Sequence, residues 1–420
     1  MERETAAIHA GRFPDKETGA RAEPIYMTSA YVFRDAEEAA GRFSLTVPGN
    51  IYTRLTNPNT SSLETRLAAI EGGSAAITAA SGMAAISYAV LALTNPGDEI
   101  VSADNLYGGT YELFHLTLPN FGRTVKFVKS SDLEALENAI TEKTRAVYFE
   151  AVGNPKLDVP DFEAVAEIAH RAGVPFIVDN TVGIGLVRPL EHGADIVVLS
   201  ATKYANGHGT ALGGAIIEKG DFPWDNGKFP KFTEPDPAYG GLRHYEAFGS
   251  AVVSTSIRVS LMRDLGAALS PFNAWLTSQG LETLYLRTER HAENAKTVAE
   301  YLKNHPKVAW VNYPGLADSP SAKNVEKYLG GKGGAILTFG MKGGYDAAVA
   351  VQNSVQLISL LANIGDAKTL IIHPASTTHQ QLTAEEQEAT GVTPETLRLS
   401  VGLENPKDII ADLEQAFSRI

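Results

Sequence analysis

From Ser61 to Ile217 the chain alternates short apolar runs with segments of helical periodicity. Residues 75–78, 99–102, 124–128, 146–149, 176–178, 196–199 and 214–217 read as strands. A helix opens at Ser62-Leu63-Glu64-Thr65 and stops at Gly72-Gly73; others span 84–93, 132–140 and 161–172, the last closed by Gly173. Strands spaced by helices predict an α/β fold, a mainly parallel sheet with helices on both faces. In such sheets a ligand sits beyond the carboxyl ends of the strands.

Polar residues collect at those ends. Ser81 and Gly82 follow one strand and open a helix, whose free N–H groups suit a phosphate. Asp179 follows the run 176–178, and Asn154 comes shortly after Phe149. Ser200, Thr202 and Lys203 follow the run 196–199. A lysine where a buried strand ends is costly without a task, and a desolvated amine condenses readily with a carbonyl cofactor. Each residue also has a plainer explanation: Ser81 caps its helix, Asp179 closes a turn with Asn180, Asn154-Pro155 is a turn pair, and Lys203 points into water. Taken together they supply a phosphate cradle, an acid for a ring nitrogen, an amide and a lysine, the parts of a pyridoxal phosphate (PLP) site.

The rest of the chain flanks this unit. Residues 1–60 are rich in Gly, Pro, Arg and Asn with scattered aromatics, and predict an extended arm lying on a neighbouring subunit. Residues 221–246, with Phe222-Pro223-Trp224 and several prolines, form a long excursion that reads as a lid or an interface. From about 267 the chain changes character. Residues 271–304 read as helix with a bend at Gly280, and 308–311, 335–339, 370–372 and 397–401 read as strands. This predicts a smaller α+β domain over 267–420, after a domain over 61–266. Arg398 lies inside an apolar strand and needs an anion, either a ligand or an internal salt-bridge partner.

Composition removes other chemistries. The 420 residues include no cysteine, so disulfides, thiolate catalysis and Cys-ligated zinc are excluded. No His-Glu-x-x-His spacing suggests a metal site, and no Walker A or G-x-G-x-x-G loop suggests a nucleotide. A net charge of -13 disfavours nucleic acid and acidic membranes as partners. The first residues lack an apolar signal core and no apolar stretch reaches membrane-spanning length, which reads as a cytoplasmic protein.

The segment Asp195 to Gly209 resembles the lysine signature of the Cys/Met-metabolism PLP enzymes, fold type I. Tyr52-Thr53-Arg54, Ser81-Gly82-Met83-Ala84, Gly153-Asn154-Pro155, Val178-Asp179-Asn180-Thr181 and His192-Gly193-Ala194-Asp195 are similar to other motifs of that family. Phe232-Thr233-Glu234-Pro235-Asp236-Pro237, Leu269-Ser270-Pro271-Phe272-Asn273-Ala274 and His373-Pro374-Ala375-Ser376-Thr377-Thr378-His379-Gln380 resemble its O-acetylhomoserine sulfhydrylase branch. The resemblance runs from the arm to the C-terminus.

It implies roles by position. Lys203 would bind PLP covalently and act as the mobile base. Asp179 would pair with the ring nitrogen, and Tyr107 would stack on the ring and be a second candidate for proton handling. Gly82, Met83, Ser200 and Thr202 would bind the phosphate, with Tyr52 and Arg54 of an adjacent subunit. Asn154 would lie near the ring hydroxyl, and Arg398 would hold the substrate carboxylate. Asn363 stands where the cystathionine branches have serine. Ala205 and Val182 depart from the bulkier and aromatic residues usual there. The activity implied is γ-replacement on O-acetyl-L-homoserine by sulfide or a thiol. A methionine or cystathionine γ-lyase, or a cystathionine γ-synthase, is the alternative. A homo-oligomer, a tetramer of two active dimers, is the assembly implied.

Overall fold

The computed structural model describes residues 1–380 and 383–420. The apolar runs become β1 (Ala75–Ala79), β2 (Glu99–Ala103), β3 (Thr124–Val128), β4 (Thr144–Glu150), β5 (Phe176–Asp179), β6 (Ile196–Leu199) and β7 (Gly214–Glu218). They form one sheet in the order β1-β7-β6-β5-β4-β2-β3. The pairs from β3 to β6 are parallel, and only β7 runs against its neighbours β6 and β1. Every residue of β5, β6 and β7 is buried. Successive side chains point to opposite faces, so both faces of the sheet are covered.

Helices supply the cover. The first begins at Pro58, four residues earlier than the apolar periodicity predicts, because Asn57 caps it by accepting the Asn59 N–H (2.9 Å) and Pro58 suits a first turn. The Gly82–Leu93 helix packs on β6 and β7, and the Phe162–Arg171 helix on β5. In the excursion after β7, Phe222, Trp224, Phe229 and Phe232 pack edge-on, Trp224 and Phe229 with centroids 4.9 Å apart. Beside them Lys231 Nζ donates to the carbonyls of Leu91 (2.7 Å) and Thr94 (2.6 Å). The excursion thereby holds the C-terminal end of the Gly82–Leu93 helix, where a cation is favoured.

A second sheet contains β8 (Val308–Asn312), β9 (Ile336–Met341), β10 (Ser359–Leu360), β11 (Leu370–Ile372) and β12 (Thr396–Ser400), in the order β10-β11-β12-β9-β8. Leu397 and Leu399 join a core with Leu337, Phe339, Ile409 and Phe417. The period of two places Thr396, Arg398 and Ser400 on the opposite face of β12. Gly280 makes no bend: the Pro271–Leu281 helix runs through it, and the break before Leu284–Lys303 comes at Glu282 and Thr283. The glycine serves close approach. A Cβ there would lie 2.7 Å from the Ala205 carbonyl oxygen and closer still to that of Asn206.

Residues 1–60 are pegged to the first long helix. Asn57 Nδ2 donates to the Tyr26 carbonyl (2.9 Å), and Asn59 Nδ2 to that of Pro24 (2.8 Å). The Ala36–Phe43 helix buries none of its residues, and Val32 is 94% exposed. Among the described residues no helix is long and apolar enough to cross a membrane.

Candidate active site

Strands β1, β4, β5 and β6 end on one edge of the large sheet, and β7 begins there because it runs the other way. That edge brings together Ser81, Asn154, Asp179 and Ser200 to Lys203. Gly214 makes this possible: any Cβ on it would collide with the backbone of Ser81 and Gly82. Lys203 does not point freely into water. It is largely buried, and its Nζ donates to Asn363 Oδ1 at 2.6 Å. Burial pushes its pKa below the usual lysine range, and the Arg398 charge adds to the shift. The amine therefore loses its proton more readily than an exposed lysine does.

Asp179 is 8% exposed, and burial raises its pKa. One oxygen accepts the Thr181 N–H (2.9 Å), the other the Tyr148 hydroxyl (3.2 Å). Asn180 turns away and donates to both oxygens of buried Glu71 (3.1 and 2.9 Å). Thr181 Oγ1 in turn accepts the Ser200 N–H at 2.8 Å, tying the acid to the segment carrying the lysine.

Ser81 does cap its helix, accepting the Ala84 N–H at 3.1 Å. That leaves the first two N–H groups, of Gly82 and Met83, without a partner inside the helix. A Cβ on Gly82 would lie 2.6 Å from Ser200 Cβ, so the helix start and Ser200 form one cradle. The Thr202 hydroxyl is engaged with the backbone of Gly213, accepting its N–H at 3.1 Å.

Across the edge, Arg398 reaches from β12 to Asn154, Nη1 to Oδ1 3.4 Å. It is 7% exposed and burial lowers its pKa. Among the described residues it pairs with no carboxylate, which removes the internal salt bridge and leaves a buried cation facing the lysine. Tyr107 is half-exposed beside this group, its ring folded back over Gly109. Tyr52 and Arg54 are not brought in. The Arg54 guanidinium lies 5.0 Å from the Tyr52 ring centroid and beside Asp264 and Gly266.

Sequence reasoning missed four residues here. Glu150 ends β4 and accepts the Tyr107 N–H at 2.6 Å. Tyr148 and Thr181 bind Asp179. His379 is buried near Arg398, and burial followed by that charge lowers its pKa to about 4, so it is neutral. Glu150 carried the same signal as Asp179, an acidic residue closing an apolar run.

A profile of the Cys/Met metabolism PLP-dependent enzymes matches residues 4–418. The chain belongs to that family. As a Cys/Met-metabolism enzyme, it has pyridoxal 5'-phosphate as its cofactor. It is 53% identical to the O-acetyl-L-homoserine sulfhydrylase of Leptospira meyeri, over 99% of this chain and 97% of that relative. It is 52% identical to the homocysteine synthase of Schizosaccharomyces pombe, over 98% of this chain and 97% of the other. A solved structure from Campylobacter jejuni, described as an O-acetylhomoserine (thiol)-lyase and carrying N'-pyridoxyl-lysine-5'-monophosphate, matches with a TM-score of 0.97 at 43% identity, covering both chains in full.

The geometry fits the family's cofactor. The helix start at Gly82 and Met83, held close against Ser200, presents the N–H donors a phosphate needs. Asp179 offers a buried carboxyl for a ring nitrogen, and Lys203 an amine of lowered pKa for a carbonyl carbon.

Proposed function

We propose that this enzyme replaces the acetoxy group of O-acetyl-L-homoserine with sulfide or a thiol, giving homocysteine (or methionine) and acetate. Asn363 carries the reading: the resemblance places serine there in the cystathionine branches, and in this chain the amide oxygen accepts from Lys203 Nζ at 2.6 Å. The names of the relatives from Leptospira and fission yeast support it.

When bound, PLP supplies an electron sink for charge developing on the substrate's α-carbon. The protein's residues do the rest. Asp179 would pair with the ring nitrogen and favour its protonated form. Gly82 and Met83 N–H groups with the Ser200 and Thr202 side chains would hold the phosphate, joined by Tyr52 and Arg54 of a neighbouring copy. Tyr107 would stack on the ring, and Asn154 would lie near its hydroxyl. Arg398 holds the α-carboxylate by a bidentate pair. Lys203, biased by burial toward the uncharged amine, takes a proton from Cα and then moves one at Cβ, which allows acetate to leave from Cγ and the nucleophile to add there. The same reading gives an arm over 1–60, a cofactor unit over 61–266, a C-terminal unit over 267–420, a cytoplasmic location and a tetramer of active dimers.

The test supplies purified enzyme with O-acetylhomoserine and sulfide, and separately with methionine alone. Homocysteine is expected from the first and no 2-oxobutyrate from the second. The reverse pattern would make the enzyme a γ-lyase and sink this reading.

A further inference from the structure

The loops after β2 and β4 are stitched together beneath Tyr107. At the outer end, Asn105 Nδ2 donates to Asp158 Oδ1, and Asn105 Oδ1 accepts the Lys156 backbone N–H (3.2 Å). A Cβ on Gly153 would lie 2.6 Å from Asp158 Oδ1, so this crossing requires glycine. At the inner end the stitch is Glu150. It is 7% exposed and stands opposite Asp179 in the β4–β5 register. Its carboxyl accepts the Tyr107 N–H at 2.6 Å.

An acid buried beside another acid is expensive to maintain. The strand does not need it, since Ala146 to Phe149 are apolar and fully buried. What the carboxyl serves is a backbone N–H group, that of Tyr107. Tyr107 is where the chain turns into the Gly108–Glu112 helix, and its N–H falls outside that helix. Its ring is held by Gly109, where a Cβ would lie 2.6 Å from Tyr107 Cε1. The residue is therefore fixed at two points, ring and N–H, and Glu150 supplies the second.

We propose that Glu150 is a positioning residue of this enzyme: by accepting the Tyr107 N–H it sets the place of the Tyr107 ring and, through it, the affinity for PLP. This rests on reading Tyr107 as the ring-stacking residue. Glu150 acts through Tyr107 rather than directly on cofactor or substrate. It acts as a hydrogen-bond acceptor of the right reach, a role an amide of equal length fulfils. The Asn105 stitch is independent of it, so the loops keep their path without Glu150.

The test is PLP binding to apoenzyme, read from the visible absorption band, for Glu150→Gln, Glu150→Leu and Glu150→Asp, each also in a Tyr107→Ala background. Glu150→Leu and Glu150→Asp are expected to weaken PLP binding about tenfold, and Glu150→Gln by less than about threefold. Neither should add a loss once Tyr107 is alanine. Should Glu150→Leu fail to fold, Glu150→Asp carries the comparison. Equal losses for Gln and Leu would overturn the proposal, because charge rather than acceptance would then matter. Undiminished losses in the Tyr107→Ala background would overturn it as well, since Glu150 would be acting elsewhere. Failure of the stacking reading looks different: Tyr107→Ala alone would leave PLP affinity unchanged, and the proposal would fall with it.

Discussion

Lys203 Nζ donates to Asn363 Oδ1 at 2.6 Å, joining the end of β6 to the loop between β10 and β11. The amine of the large sheet is thus aimed by a side chain of the small one. Asn363→Leu removes the acceptor and leaves Asp179, Ser200 and the helix start at Gly82 in place. We expect kcat to fall about tenfold with PLP still bound. Lys203→Ala should lose both turnover and the visible band. Steady-state kinetics with an absorption spectrum check both, and an unchanged kcat for Asn363→Leu would reduce the contact to a feature of the resting state.

Arg398 has no carboxylate partner among the described residues, so its anion has to come from outside the chain. A bidentate, charge-assisted pair with a substrate carboxylate contributes about 1.5–3 kcal/mol. Arg398→Met should therefore raise KM for the amino-acid substrate by about ten- to a hundredfold. The KM of the sulfur nucleophile should stay near wild type. Equal rises in both would assign the arginine to the general architecture.

Arg54 rests beside Tyr52 and Asp264, away from Lys203 in the same chain. If it serves a neighbouring copy, Arg54→Ala should weaken PLP retention on gel filtration. Mixing unfolded Arg54→Ala and Lys203→Ala chains and refolding them together should restore activity, because one site of each mixed dimer carries neither change. No recovery in the mixture would place both residues in one chain's site.

Glu71 is buried against Asn180, and burial lifts its pKa to about 8. In the unfolded chain the same acid titrates near 4.5. The native state therefore binds more protons between these values, so stability falls as pH rises through that window. The contribution is complete below about pH 4.5 and gone above about pH 8. Glu71→Gln should flatten this slope and raise the melting temperature at pH 8 relative to wild type. Melting curves at pH 6 and pH 8 decide it, and parallel slopes would count against a proton on Glu71.

Gly280 lies against the carbonyls of Ala205 and Asn206, just past the lysine. Gly280→Ala should displace that segment, costing about 1–3 kcal/mol in stability and lowering kcat more than it raises KM. Urea unfolding with kinetics on the folded fraction tests this. A stable, fully active variant would mean the segment shifts without consequence for Lys203.

The architecture was largely legible because the strands are short apolar runs, most of them separated by segments of helical periodicity. The apolar pattern misplaced the first helix start, because Asn57 and Pro58 are capping signals with no hydrophobic period. Gly280 misled because a glycine needed for close approach looks, in one dimension, like one needed for a bend. Asp179 and Lys203 stood out as polar residues closing buried runs. Glu150 carried the same mark and was passed over, since its partner Tyr107 lies on another loop and backbone N–H groups leave no trace in the sequence. The pairing of Arg398 with Asn154 was beyond reach for a similar reason: it spans two sheets whose relative placement no local pattern encodes.

Among the described residues β1 has a single strand partner, β7, and β7 comes last in the chain among the seven. During synthesis the segment around Ser81 leaves the ribosome long before the strand that seats it. A chain ending before Gly214 keeps the contact of Gly82 with Ser200 but lacks the strand that joins β1 to the sheet, so the phosphate cradle is built from segments more than a hundred residues apart.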